Sequence, residues 1–191
     1  MEGFPGWTTQ FELMWRQEQS RHASGRTRVK DFGTAIWTAS YQSKELNPNE
    51  MDEWRARLDA LENGIVTFRA WSKSRCWPIL HPFGAGAVNG EIDEIGEDNK
   101  SIGIEWDGGT TVLSIGDMVE INATRLHRIT GLLGGGLFAI QPHLSVGALV
   151  GQTVNINKPG VLMTIVPGSI NTQTGLNGRG SVTFKAIEAR G

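Results

Sequence analysis

Ala35-Ile36-Trp37-Thr38-Ala39-Ser40-Tyr41 places Ile36, Thr38 and Ser40 on one face of an extended chain and Trp37, Ala39 and Tyr41 on the other. Six residues later the period changes. From Pro48 to Glu62, Met51, Trp54, Leu58 and Leu61 recur at helical spacing, while Glu50, Asp52, Arg55, Arg57 and Asp59 lie largely off that stripe. Asn47 precedes Pro48, and Glu50 falls three residues after Asn47. This is the pattern of a capping box, with Pro at the position where a missing N–H does no harm. Asn63-Gly64 ends the helix, with Gly64 as the residue suited to a left-handed turn.

Outward from this pair of elements, the spacing predicts mostly strands. Before it lie Phe11 to Trp15 and Arg26 to Lys30, and directly after it Ile65 to Trp71. Beyond residue 84 the strands are short and separated by Gly-rich turns: Gly90 to Ile95, Ser101 to Trp106, Thr111 to Leu113, Met118 to Ile121, Arg125 to Ile129 and Phe138 to Gln141. Glu97-Asp98-Asn99 and Asp107-Gly108-Gly109 carry hairpin chemistry between them. Short, regular strands of this kind suggest a small barrel. Val154 to Ile156, Val161 to Val166 and Val182 to Ile187 are further strands. The high glycine content, 25 of 191 residues, suits such a turn-rich chain better than a helical bundle.

Charge marks the same division. Residues 1–83 hold eleven Lys/Arg and ten Asp/Glu, residues 84–151 three and nine, and residues 152–191 four and one. Six of the seven Trp (7, 15, 37, 54, 71 and 77) precede residue 84, with Trp106 the exception. Boundaries near Pro82 and residue 150 follow. A net charge of -2 gives no general attraction to nucleic acid or anionic lipid. The single cysteine, Cys76, excludes an internal disulfide framework and a four-cysteine zinc site. The sequence shows no secretory leader and no apolar run of membrane-spanning length, and a reducing site of folding is expected.

Few residues suggest chemistry. His22, His81, His127 and His143 lack any metal-ligand spacing. Cys76 with His81 has the residue types of a thiolate–imidazole pair, but its neighbours Arg75 and Trp77 favour a packed thiol. Gly131 to Leu137 resembles a phosphate loop only in its glycines. It lacks the Lys-Ser/Thr and a following helix, and reads as a hairpin tip. Arg16, Arg21, Arg26, Arg28 and Lys30 make the densest basic segment, diluted by Glu12, Glu18 and Asp31, and suit a solvated loop or a protein contact. Glu91, Asp93, Glu94, Glu97 and Asp98 lack EF-hand spacing and read as a solvated hairpin face. Their sign opposes the positive groove that a strand-binding barrel needs. No catalytic, cofactor or metal residue is assigned, and an enzyme is not expected.

The order of elements resembles the distal tail proteins of long-tailed bacteriophages. The resemblance rests on Ile36 to Tyr41, the helix Met51 to Gly64, Thr67-Phe68-Arg69-Ala70 and Pro82. It continues through Leu113 to Ile121, Leu126 to Ile129, Phe138 to Leu144 and Pro159 to Ile165. It implies a mainly β protein in two parts: a tail-tube-like β-sandwich with one packed α-helix (1–83 and 152–191), and an inserted small OB-like β-barrel (84–151). It also implies a structural virion protein at the tail tip, assembled in the host cytoplasm. Such a protein forms a ring, commonly of six copies, between the tail tube protein and the tip or baseplate hub protein. Neither cofactor, specific nucleic-acid binding nor membrane partner is expected. Two other readings remain open. Exposed Trp would suit a carbohydrate- or ligand-binding β-sandwich, and Cys76 would have to carry any hydrolase activity.

Overall fold

The capping box written at Asn47 is formed in the computed structural model, which describes residues 1–189 except Ala23 and Val146. Asn47 Oδ1 accepts from the Glu50 N–H at 3.0 Å, and Glu50 Oε2 accepts from the Asn47 N–H at 2.9 Å. The helix they start, α1 (Pro48–Asp59), buries Met51, Trp54 and Leu58. It ends earlier than the periodicity predicts. Glu62 and Asn63 take the positive φ values, 50° and 53°, and Ile65 and Val66 donate back to Glu62 and Leu61. Those N–H groups are thereby spent on closing the helix, so the strand expected from Ile65 shrinks to three residues. Gly64 has φ 107°, and a Cβ there would lie 2.5 Å from the Ile165 carbonyl oxygen; close approach is a second reason for glycine.

Fourteen strands are described: β1 (Gly6–Met14), β2 (Gln17–Arg21), β3 (Thr27–Asp31), β4 (Ile36–Ser43), β5 (Phe68–Ala70), β6 (Gly90–Ile95), β7 (Ser101–Trp106), β8 (Met118–Ile121), β9 (Arg125–Leu132), β10 (Leu137–Gln141), β11 (Thr153–Asn155), β12 (Val161–Ile165), β13 (Asn171–Thr174) and β14 (Gly180–Glu188). The molecule is therefore mainly β, with one α-helix among the described residues. One sheet runs β1-β4-β14-β12-β5, with β13 also pairing β14. Six antiparallel strands close a barrel in the order β10-β7-β6-β11-β8-β9. β2 and β3 form a separate two-stranded ribbon.

β4 alternates as its sequence predicts, with Trp37, Ala39, Tyr41 and Ser43 buried and the intervening residues half-buried. Tyr41 stands opposite Phe184 in register, and their rings stack at 5.0 Å. Phe4 wedges edge-on between this pair and the helix, 5.2 Å from Trp54 and 5.4 Å from Phe184. The Tyr41 hydroxyl donates to the Trp71 carbonyl at 3.0 Å. Burial pushes that phenol well above its usual pKa. The barrel has its own core, built on Ile92, Ile102, Ile121, Ile129, Ile140 and Val154. The helix and the barrel both lie toward the same face of the main sheet: Trp54 reaches the core beside Phe4, and Met118 and Leu126 of the barrel join that same cluster. The opposite face stays open.

Further expectations are corrected. Thr111 to Leu113 is not a strand. Thr111 Oγ1 instead exchanges two hydrogen bonds with the Val88 backbone, at 2.9 and 3.0 Å, so a hydroxyl does the work of a ladder while Leu113 fills the barrel. Asp107-Gly108-Gly109 therefore turns no hairpin: no strand follows it at Thr111 to Leu113, and the next one, β8, pairs with β9 and β11. Thr153–Asn155 does not return to the main sheet. It closes the barrel between β6 and β8, since Val154 and Ile156 belong to the barrel core. β2 and β13 were not anticipated. Both are polar and lack the apolar alternation that marks a half-buried strand.

Candidate functional site

Of the residues weighed from sequence, Cys76 and His81 are each committed elsewhere. The Cys76 thiol donates toward the Ser72 and Lys73 carbonyls at 3.2 and 3.3 Å. Burial raises its pKa, against the partial pull of Lys158 and Lys73, so the thiolate is disfavoured. His81 Nε2 accepts from the Val112 N–H at 3.2 Å, which leaves Nδ1 to donate to the Ala85 carbonyl at 3.0 Å. The imidazole ties two loops together rather than facing the thiol.

His127 and His143 do come together, on a cavity of about 30 Å³ shared with Arg125 and Glu188. His127 Nδ1 lies 2.6 Å from the Pro142 carbonyl, and His143 Nε2 accepts from Gln141 at 2.8 Å. Among the described residues no three His, Cys, Asp or Glu side chains are arranged to hold a metal ion, and no helix is long and apolar enough to cross a membrane. Gly134–Gly136 forms the tip of the β9–β10 hairpin, closed by Leu133 N–H to the Leu137 carbonyl at 2.8 Å. The acidic segment lies exposed along β6 and its turn. Glu91 stands directly opposite Glu105, and Lys100 lies 3.5 Å from Asp98. Like charges paired across a ladder cost stability and repel polyanions.

Sequence reasoning missed the joint between barrel and sheet. Glu120, fully buried on β8, accepts from Arg69 Nε at 3.1 Å, from Asn155 Nδ2 at 2.7 Å and from the Gly160 N–H at 3.0 Å. A second Arg69 nitrogen reaches the same carboxylate. Asp117 accepts from Ile79 and Ser114 at 2.8 and 2.7 Å. Trp37 Nε1 donates across the joint to the Leu126 carbonyl at 2.7 Å, and the Arg128 guanidinium lies 5.1 Å from the Trp37 ring centre. No local signal could have flagged these groups, because Arg69 and Glu120 are 51 residues apart.

Two surfaces stand out. The basic segment is the β2–β3 ribbon, whose five residue pairs run from Gln17↔Asp31 to Arg21↔Thr27. Every residue of both strands is exposed. Lys30 faces Glu18 across the ladder, so the positive charge is partly answered within the ribbon. Ile79, Leu80, Phe83, Val112 and Ile115 form exposed apolar surface on the two segments that His81 joins. Phe83 is 89% exposed and sits at φ 57°, a conformation that a bulky residue rarely takes. Comparison of the chain with protein-family models and with curated proteins finds no match in either.

Proposed function

We propose that the protein is a structural subunit of a bacteriophage tail: a distal tail protein that closes into a ring, of six copies, between the tail tube and the tip or baseplate hub. The observation that carries this reading is the ribbon. A two-stranded hairpin is marginal by itself in water, and both its edges offer unpaired backbone groups. Ten strand residues that touch no core make physical sense as an arm that gains its partners on assembly. The exposed Ile79, Leu80 and Phe83 side chains, three large apolar groups within five residues, support the same conclusion, since apolar surface left to water suits a contact with another protein.

In this reading the sheet with its helix is the tail-tube-like β-sandwich part of the subunit, and the barrel is the OB-like insert. The barrel has six strands where an OB-fold has five. The likeness is that of a small closed antiparallel barrel inserted between strands of another sheet. The acidic β6 surface suits a channel that must let DNA pass without holding it. Rings obey closure, so one repeated heterologous contact suffices.

Light scattering on the purified protein, with negative-stain images of the same peak, tests the reading. Six copies of 20.9 kDa, about 125 kDa, seen as rings with a central hole, are expected. A monomer that also fails to join purified tail tubes overturns it.

A further inference from the structure

The open face of the main sheet carries a row of side chains fixed by register. Trp7 of β1 stands opposite Gln42 of β4, Gln42 opposite Thr183 of β14, and Thr183 opposite Asn171 of β13. Directly paired residues project to the same side of a sheet. Four strands at their usual spacing make this row about 14 Å long. Two residues along, Ser181 and Gln173 form a parallel row on the same side. From the Trp7–Gln42 end of the first row to the Ser181–Gln173 row lies an open groove of about 500 Å³, lined by Trp7, Gln42, Gln173 and Ser181 together with Glu45 and Thr174.

Two properties define the chemistry of this groove. Trp7 is 45% exposed although it belongs to a long, well-paired strand, so a flat aromatic face stands at the groove wall. The amides of Gln42 and Gln173 and the hydroxyls of Thr174 and Ser181 line it, with the Glu45 carboxylate as its one charged group. The complement is therefore rich in neutral donors and acceptors, with no Lys or Arg along the groove. An exposed aromatic plane bordered by solvent-facing amides and hydroxyls is the chemistry that recognises a sugar: the ring's C–H face packs on the indole, and the amides and hydroxyls exchange their water partners for the sugar hydroxyls. The lack of a cation disfavours phosphate- or carboxylate-bearing ligands.

We propose that this groove is a binding site for a neutral oligosaccharide, laid across β1, β4, β14 and β13 with one residue stacked on Trp7. The site lies within a single chain and does not depend on the ring. Its test is titration calorimetry of the full chain against a panel of neutral tetrasaccharides: maltotetraose, cellotetraose, chitotetraose and mannotetraose. Binding to at least one member is expected. Trp7→Ala and Gln173→Ala should each weaken it by about tenfold or more, while Trp15→Ala, which removes an exposed Trp outside the groove, should leave it unchanged. Thermal melts of all three variants should match the parent, because none of these side chains is buried. Failure to bind every member of the panel overturns the proposal, as does binding that Trp7→Ala leaves intact. Loss of oligomer mass in Trp7→Ala without sugar binding in the parent overturns it too, by assigning the face to a subunit contact. Light scattering on the same samples reports on the ring separately.

Discussion

Glu120 is a buried carboxylate surrounded by donors from three separate segments, and its removal should be felt at all of them. Glu120→Ala leaves the Gly160 N–H and the Asn155 amide unanswered, and is expected to lower stability by about 2–4 kcal/mol in urea unfolding. Arg69→Met should cost a similar amount, because it strands the carboxylate. The double variant Glu120→Met/Arg69→Met should cost clearly less than the two single changes together, since the shared penalty disappears with the pair. Trp54→Ala opens space beside Phe4 and should cost about 3–5 kcal/mol; a loss below about 1 kcal/mol would mean that the helix face is not core. Cys76 makes a kinetic prediction. Its pKa is raised by burial, so at pH 8 it should react with iodoacetamide more slowly than a small free thiol, and denaturant should abolish the difference.

Among the elements, the helix and the ribbon behave in opposite ways. The helix is written in its own sequence: Asn47, Pro48 and Glu50 specify its start, and Asn47→Ala should cost about 1 kcal/mol in the same assay. The ribbon is written only as polarity. Replacing Gln17–Asp31 with a short Gly-Ser linker should leave the thermal melt of the monomer unchanged and reduce the assembled mass to that of single chains. A lowered melting temperature would show that the ribbon supports its own subunit. This contrast also explains what sequence reading recovers. β4, α1 and most barrel strands declare themselves by apolar period, because each has one face in a core. β2 and β13 have no such face, and Thr111 to Leu113 has the period of a strand but bonds through a side chain. The groove on the open sheet face was out of reach for a different reason. Trp7, Gln42, Thr183 and Asn171 become neighbours only through the pairing of four strands distant in sequence, and exposed Trp as a class was all that could be named beforehand.

At the scale of the whole molecule, barrel and sheet share material. A fragment covering 84–151 lacks β11, so β6 and β8 lose the strand between them; it should remain unfolded by near-ultraviolet circular dichroism. A fragment covering 84–157 regains β11 and Ile156 and should fold more readily. Removing the barrel altogether takes away the Trp37 acceptor at Leu126 and the Glu120 anchor, and the remaining sheet should lose its cooperative melt. β14 also has a bearing on biosynthesis. It is a central strand of the main sheet, and its Val182 N–H bonds to the Ser43 hydroxyl 139 residues earlier. At synthesis rates of about 5–20 residues per second, β4 waits on the order of ten seconds for this partner. For that interval Trp37 and Tyr41 stand uncovered while the barrel, finished by Asn155, is free to close first. Chains ending at residue 175 and held on the ribosome by an unstructured C-terminal linker long enough to bring β11 out of the exit tunnel should accordingly be cut by protease within the first 83 residues and resist it across 90–155.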